Sequence, residues 1–148
     1  LRKLPLSGGA TVRAVIADQR KVQAALINSR NAALGDTSAR LRDGIEALDR
    51  ATAFMLGALA GNSQEPALAA ATPYLRLFGI VHGASCLAKA ALAADAALNA
   101  GEDDPAHRGR IALCRFYAEQ VLTGAAGLEA AVKAGAASLD GAAEALAG

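Results

Sequence analysis

Tryptophan is absent from this 148-residue chain, and three Phe and two Tyr supply its only aromatic rings. Val, Ile and Thr together number just 16. Because strands are enriched in β-branched and aromatic side chains, this shortage argues against an all-β or an α/β fold. The net charge is only +1. With neither a basic stripe nor rings to stack bases, the composition also argues against nucleic-acid binding.

Long uncharged runs and cysteines are scarce as well. The longest uncharged runs, residues 51–64 and 77–88, have 14 and 12 residues, short of the roughly 18 needed to cross a bilayer, so we predict no membrane span. Cys86 and Cys114 cannot build a disulfide framework, and a bridge between them requires that their helices touch. Both lie in apolar helical patterns, so we expect buried free thiols, a reducing environment and a cytoplasmic location.

Alanine and leucine dominate, with 40 and 20 residues, and both favour helices. The first predicted helix follows Ser7-Gly8-Gly9 and ends at Gly35 as its C-cap. Its inward face comprises Val12, Ile16, Gln19, Gln23, Leu26 and Ala33. The second helix begins at an N-cap within Asp36-Thr37-Ser38 and stops at Gly61-Asn62-Ser63. Its stripe comprises Leu41, Ile45, Leu48, Thr52, Met55, Leu56 and Leu59.

The third helical segment runs from about Gln64 to Ala100 and is interrupted by Pro73. Proline lacks the N–H of a helical hydrogen bond and pushes Thr72 out of helical geometry. We therefore expect a short helix, followed by a new one with Thr72 as N-cap and Pro73 at its first position. Residues 77–88 carry no charge on any face, which predicts the most buried helix of the fold.

The fourth segment begins with Asp104 as N-cap and Pro105 at the first helical position. Its stripe comprises Ile111, Cys114, Ala118, Val121, Ala125, Leu128 and Val132. Gly124, Gly127 and Gly135 either weaken its second half or let a neighbouring helix come close.

Four amphipathic helices of about 25 residues would each be nearly 40 Å long. Because short connections make sequential helices antiparallel, the pattern predicts an all-α fold, an antiparallel up-down four-helix bundle with its third helix interrupted near Pro73. We assign residues 1–10 to a linker and residues 11–148 to the bundle.

Few reactive side chains fall into a recognisable arrangement. His82 and Cys86 are four apart, as metal ligands on one helical face could be, and Asp104 and His107 have the spacing of a carboxylate–histidine pair. Zinc takes three or four ligands, and the Glu-x-x-His motifs of di-iron bundles are absent. We therefore expect a packed His82, a surface His107 and no metal site.

The other candidates for catalytic or phosphate-binding residues also lack a supporting motif. Ser85 lacks an identifiable acid–histidine pair. Gly8-Gly9 lies in neither a Walker nor a dinucleotide motif, and is expected to form a flexible linker. Asp103 and Asp104 are expected in a solvated loop. The sequence predicts no catalytic, cofactor-binding or metal-binding residue.

Three stretches stand out: residues 1–5 (LRKLP) followed by Gly8-Gly9, residues 73–79 (PYLRLFG) and residues 115–122 (RFYAEQVL). They resemble a subgroup of bacterial acyl-CoA dehydrogenases that includes the 3-methylmercaptopropionyl-CoA dehydrogenases. The first is similar to its "GRKL…GG" segment, and the other two resemble two helices of its extra C-terminal domain. The resemblance spans nearly the whole chain and preserves the order of elements.

This resemblance implies a flavin enzyme that oxidises an acyl-CoA to its 2,3-enoyl form. A carboxylate removes the α-proton while FAD takes a hydride from the β-carbon. In the subgroup the catalytic Glu stands in a "YEGT" motif before the "GRKL" segment, upstream of Leu1. The resemblance thus implies a structural appendage with no cofactor of its own, attached through residues 1–10 to an upstream core that binds FAD and acyl-CoA.

Two further expectations follow. A domain separated from its core exposes an apolar patch, so we expect a homo-oligomer. The chain departs from the subgroup at His82 and Gly83, where relatives often place bulky aromatics, which leaves its packing partner there open. The alternative is a stand-alone helical interaction protein, a phasin-like coat or an adaptor, favoured by the high alanine content.

Overall fold

A computed structural model describes residues 2–136 and residue 145. This part of the chain contains helices and turns but no strand, which confirms the all-α prediction. It has six α-helices: α1 Ala10–Ser29, α2 Thr37–Ala60, α3 Glu65–Ala69, α4 Ala71–Asn99, α5 Pro105–Gln120 and α6 Ala125–Ala134. Short 3-10 helices cover Leu6–Gly9, Ala32–Leu34 and Leu122–Gly124. The third and fourth predicted helices are therefore each divided.

Helix α1 ends earlier than predicted. Gly35 is not its C-cap, because Arg30 already adopts a left-handed conformation with φ of 53°. Beyond it, Asn31 donates a 2.7 Å hydrogen bond from its side-chain amide to Asp95 on α4. This contact between distant parts of the chain accompanies the end of α1, and the local pattern of apolar residues could not reveal it.

The break near Pro73 lies two residues earlier than expected. Helix α4 begins at Ala71 with Ala70 as its N-cap, so the prediction of Thr72 at that position was wrong. Pro73 is instead the third residue of α4. The first N–H groups of a helix have no partner within it, so proline is tolerated there without a break at Thr72.

The start of the fourth segment is as predicted. The Asp104 carboxylate accepts a 2.8 Å hydrogen bond from the backbone N–H of Ala106, and Pro105 is the first residue of α5. The expected continuous helix, however, is interrupted by the 3-10 turn Leu122–Gly124. At this turn Leu122 is buried, whereas Val121, a member of the predicted stripe, is only half-buried.

The glycine that permits close approach at this turn lies on α2. A Cβ built on Gly44 would lie 2.9 Å from Cδ1 of Leu122, so any larger residue there would force the Leu122 side chain to shift. By contrast, a Cβ on Gly124 or Gly127 would meet nothing within 4 Å. The interpretation of those two glycines as points of close helix contact was wrong, and Gly135 instead ends α6 with φ of 53°.

The stripe of α2 forms the centre of the core, as predicted. Leu41, Ile45, Leu48, Thr52 and Met55 are at most 2% exposed, while Leu56 and Leu59 are half-buried. Around α2 pack α1, α4 and α6. Each buried Leu or Ile contributes about 1.5–3 kcal/mol, so this stripe supplies much of the stabilisation by apolar burial.

Helix α4 is central but not buried all round, contrary to expectation. It packs against α1, α2, α5 and α6, yet Leu75 is 71% exposed and His82 and Cys86 lie in solvent. Among the described residues α4 alone is long and apolar enough to cross a bilayer by length and composition. The count of uncharged runs did not identify α4 as long and apolar enough, because a single charge, Lys89, ends the run at residue 88. Contacts with four helices account for its apolar inner face.

Neighbouring helices α1 and α2 run in opposite directions. Arg20 on α1 pairs with Asp49 on α2 at 2.6 Å, and Gln23 donates a 3.1 Å hydrogen bond to Ser38. Because the later residue of α1 meets the earlier residue of α2, the two helices are antiparallel.

A buried glutamine interrupts the apolar face of α1. Asp18 and Arg20 form ion pairs with Lys89 of α4 and Asp49 of α2, so Gln19 between them points into the space between those helices. Its side chain lies in the core, the residue being 1% exposed, and neither Nε2 nor Oε1 has a hydrogen-bond partner among the described residues. An unsatisfied buried amide is costly.

Replacement of this amide should stabilise the fold. We expect Gln19→Met, which keeps the length of the side chain, to raise the free energy of unfolding by about 1–2 kcal/mol, measured by urea denaturation. Gln120→Met, at an exposed position, is the matched control and should change it by less than about 0.5 kcal/mol. A loss of stability in Gln19→Met would show that the amide has a partner in solution, such as a buried water.

A bidentate ion pair links α2 to α6. Nε and Nη2 of Arg50 each donate a 2.7 Å hydrogen bond to the carboxylate of Glu129, and Nζ of Lys133 lies 2.6 Å from it. The Glu129 side chain is only 10% exposed. The hydrogen bonds from Arg50, with help from Lys133 and against the effect of burial, lower the pKa of Glu129 from 4.5 to about 2.

This pKa predicts a pH-dependent stability. The folded carboxylate takes up a proton less readily than the unfolded one, so its contribution is present above pH 4.5 and is lost as the pH falls towards 2. Because Arg50 is half exposed, we expect Glu129→Gln to cost only about 1–2 kcal/mol at pH 7. Urea denaturation at pH 7, 4 and 2.5 should show this cost shrinking. Asp49→Asn, in an exposed pair, should cost little, and a pH-independent cost in Glu129→Gln would contradict the assignment.

Candidate functional site

His82 and Cys86 lie together on the outer face of α4. Both are exposed, which corrects the expectation that His82 is packed and Cys86 buried. Sγ of Cys86 is 3.8 Å from Nε2 of His82, whose ring stacks on Phe78 with a centroid distance of 5.9 Å. Two side chains provide fewer than the three or four ligands that zinc takes. Within the described residues, no group of three or more His, Cys, Asp or Glu side chains converges.

The outward position of this pair follows from the contacts on either side of it. Lys89 reaches Asp18 on α1 at 2.7 Å. A Cβ built on Gly83 would lie 2.9 Å from the hydroxyl of Tyr117 on α5. The face of α4 between these contacts is open to solvent. The lack of charged residues in 77–88 therefore did not mean that this face is buried.

Asp104 and His107 do not act as a pair. The Asp104 carboxylate caps α5, while Nε2 of His107 lies 3.4 Å from Glu102 and Nδ1 lies 3.1 Å from Nη1 of Arg110. The His107 side chain is only 13% exposed, which corrects its expected surface position. Asp103, by contrast, is exposed as predicted.

The remaining candidates lack access or room. Ser85 is 2% exposed, so its hydroxyl is not available as a nucleophile. Gly8 and Gly9 have φ of 63° and 80° within a 3-10 turn, and a Cβ on Gly9 would lie 2.7 Å from Leu56. The two glycines therefore shape the entry to α1, and Gly9 packs on α2 rather than facing a phosphate.

The two cysteines are both free, and their environments differ. Cys114 is buried on the inner face of α5, and burial raises its pKa to about 11. Cys86 is exposed on α4, and no disulfide joins the two thiols. Since the thiolate is the reactive form, Cys114 should be inert at neutral pH.

A concave groove of about 590 Å³ runs along α5. It is bounded by the end of α4 and the 3-10 helix Ala32–Leu34. Its lining residues are Asn31, Ala33, Leu98, Arg108, Ile111, Ala112, Arg115, Phe116 and Glu119. We refer to it as the α5 groove. Its volume falls within the range of ligand and partner sites.

The charged rim of the α5 groove is internally paired. Arg115 donates a 2.8 Å hydrogen bond to Glu119, and Arg108 pairs with Asp103. A Cβ on Gly35 would lie 2.8 Å from Nε of Arg115, so the glycine makes room for the first pair. The groove combines an apolar wall with neutralised charges, which suits binding rather than acid–base or nucleophilic chemistry.

Sequence reasoning missed this groove, although one signal was available. Leu113 and Phe116 are three residues apart and both lie outside the predicted inward stripe of the fourth helix. They are 51% and 60% exposed. Two large apolar residues on the outer side of one helix indicate a second apolar face.

Comparison with known proteins identifies the family. Residues 10–141 match the family described as Acetyl-CoA dehydrogenase C-terminal like. The chain belongs to this family. No protein with curated annotation matches the chain significantly. The predicted relationship to acyl-CoA dehydrogenase C-terminal domains is therefore confirmed at the level of the family.

The cysteine environments predict a simple pattern of thiol reactivity. In the folded chain, Ellman's reagent should modify Cys86 rapidly. Cys114 should react only after the chain is unfolded. Cys86→Ser should leave no rapidly reacting thiol, whereas Cys114→Ser should leave the rapid phase intact. Rapid modification of both thiols in the native chain would contradict the burial of Cys114.

Proposed function

We propose that this chain is the helical accessory domain of an FAD-dependent acyl-CoA dehydrogenase of the 3-methylmercaptopropionyl-CoA dehydrogenase-like subgroup. The observation that carries the proposal is the family match over residues 10–141. In the whole enzyme FAD would accept a hydride from the β-carbon of the acyl-CoA. The catalytic base and the acyl-CoA pocket would belong to the core, and the complete protein would act in the cytoplasm.

The described residues do not fit FAD themselves. Arg108 and Arg115, the cations of the α5 groove, are already paired with carboxylates. Gly9 packs on Leu56 and leaves no cradle for a pyrophosphate beside the glycine turn. We therefore assign no redox step to this chain. Its role is to pack, both on the core and between subunits of a homo-oligomer.

The helix contacts support an up-down arrangement. Gly83 of α4 approaches Tyr117 of α5, while Leu98, later in α4, shares the groove with Arg108, earlier in α5. The pairs occur in reverse order, so α4 and α5 are antiparallel, like α1 and α2. We interpret the fold as a four-helix bundle in which α3 precedes α4 as a short turn and α6 continues α5 after a break.

The natural protein tests this proposal directly. A tag on the C-terminus of the chromosomal gene would allow purification of the native polypeptide, followed by its mass and absorption spectrum. We expect a chain several-fold heavier than 14.8 kDa that carries flavin and oxidises acyl-CoA. A native protein of about 14.8 kDa without flavin would support the alternative, a stand-alone coat or adaptor.

A second measurement addresses the role of the fragment alone. We expect the 148-residue chain, mixed with FAD and an acyl-CoA series, to retain no flavin after gel filtration and to reduce no electron acceptor. Flavin retention or turnover would overturn the assignment of a purely structural role.

A further inference from the structure

Helix α5 has two apolar faces rather than one. Ile111, Cys114 and Ala118 point into the core and are at most 4% exposed. On the opposite side Leu113 and Phe116 are 51% and 60% exposed. Adjacent large apolar side chains on an exposed helix face indicate a surface that another body covers.

One small and one large residue lie a helical turn apart on this outer face. Ala112 lies one helical turn before Phe116, since residues four apart are neighbours on one side of a helix. Both line the α5 groove, with Leu98 on another side. The groove of about 590 Å³ has room for one further aromatic side chain.

This pair, Ala112 and Phe116, is self-complementary. When a second α5 packs antiparallel about a two-fold axis, Phe116 of each copy lies opposite Ala112 of the other. The same register places Arg108 of each copy beside Glu119 of the other. Each contact occurs twice, as an isologous interface requires. The face therefore offers both shape and charge complementarity to a second copy of itself.

The ion pairs of Arg108 and Glu119 within one copy can be replaced by pairs between two copies. Within one copy Arg108 pairs with Asp103, where the side chains are 62% and 79% exposed, and Arg115 pairs with Glu119, at 48% and 32%. Such exposed pairs contribute little to stability, so re-pairing across an interface is not opposed by a strong internal contact. Arg108 and Glu119 are three turns apart, about 16 Å, and cannot pair within one helix.

We propose that the outer face of α5 and the α5 groove form a two-fold dimer interface, in which Phe116 of each copy enters the groove of the other. The occupant is thus a second copy of this chain. The inference rests on the geometry of α5 and holds whether the chain works within a dehydrogenase or by itself.

Sedimentation of the 148-residue chain over a wide concentration range, under reducing conditions, tests the interface. We expect a monomer–dimer equilibrium whose dissociation constant rises at least about tenfold in Phe116→Ser, because large buried aromatics dominate interface energetics. Leu75→Ser is the matched control, since Leu75 is 71% exposed on α4 and lies outside this face. It should leave the dissociation constant unchanged. Circular dichroism should show that both variants remain folded.

A charge exchange tests the identity of the occupant. Arg108→Glu and Glu119→Arg should each weaken dimerisation, and the double variant should restore it, because opposite charges again face each other across the two-fold axis. The double variant restores binding only when the partner is a second copy of the chain, because only then do both partners carry both changes.

Three outcomes would overturn the proposal. The first is a chain that stays monomeric at all concentrations. The second is a dimer that Phe116→Ser leaves intact. The third is a monomeric chain whose outer face binds the purified catalytic core instead, with binding lost in Phe116→Ser.

Discussion

The packing of α4 against α2 is the constraint on which the rest of the structure depends. Leu77 and Val81 of α4 are fully buried, and Thr52 of α2 shares a 2.9 Å hydrogen bond with Tyr74. Every longer helix contacts this pair: α1 and α6 pack against both, and α5 packs mainly against α4. Gly44 of α2 lets Leu122 come close, and Gly83 of α4 lets Tyr117 come close, so the positions of the other elements are limited by what fits around this centre.

Local regularity explains how much of the fold could be predicted. The buried part of the α2 stripe was identified correctly because apolar residues at helical spacing agree with the charged residues opposite them over residues 41–50. The Asp104-Pro105 start of α5 was equally readable, because capping chemistry depends only on adjacent residues. The early end of α1 could not be predicted in this way, because the hydrogen bond from Asn31 to Asp95 joins residues 64 positions apart. Leu122, at the break between α5 and α6, likewise packs against Gly44 in another helix.

The candidate site was harder to predict for a related reason. In an alanine-rich helix the outer and inner faces have similar hydropathy, so composition does not say which face is buried. His82 and Cys86 were expected inside for this reason, yet they lie between the contacts that α4 makes with α1 and α5. The α5 groove is lined by residues from three elements. Two of those residues, Asn31 and Leu98, lie in no sequence pattern that indicates a binding site. Only Leu113 and Phe116, outside the expected stripe, pointed to it.

The distribution of large side chains bears on what the domain is for. The chain has three Phe residues, and a fold built from alanine and leucine could have used all of them to fill its core. Instead Phe116 is 60% exposed beside Leu113 on α5, while the core accepts Gln19 without a hydrogen-bond partner. A more stable arrangement of the same residue types is easy to conceive. For the accessory role proposed above, a large aromatic side chain on the surface is what association with another body requires.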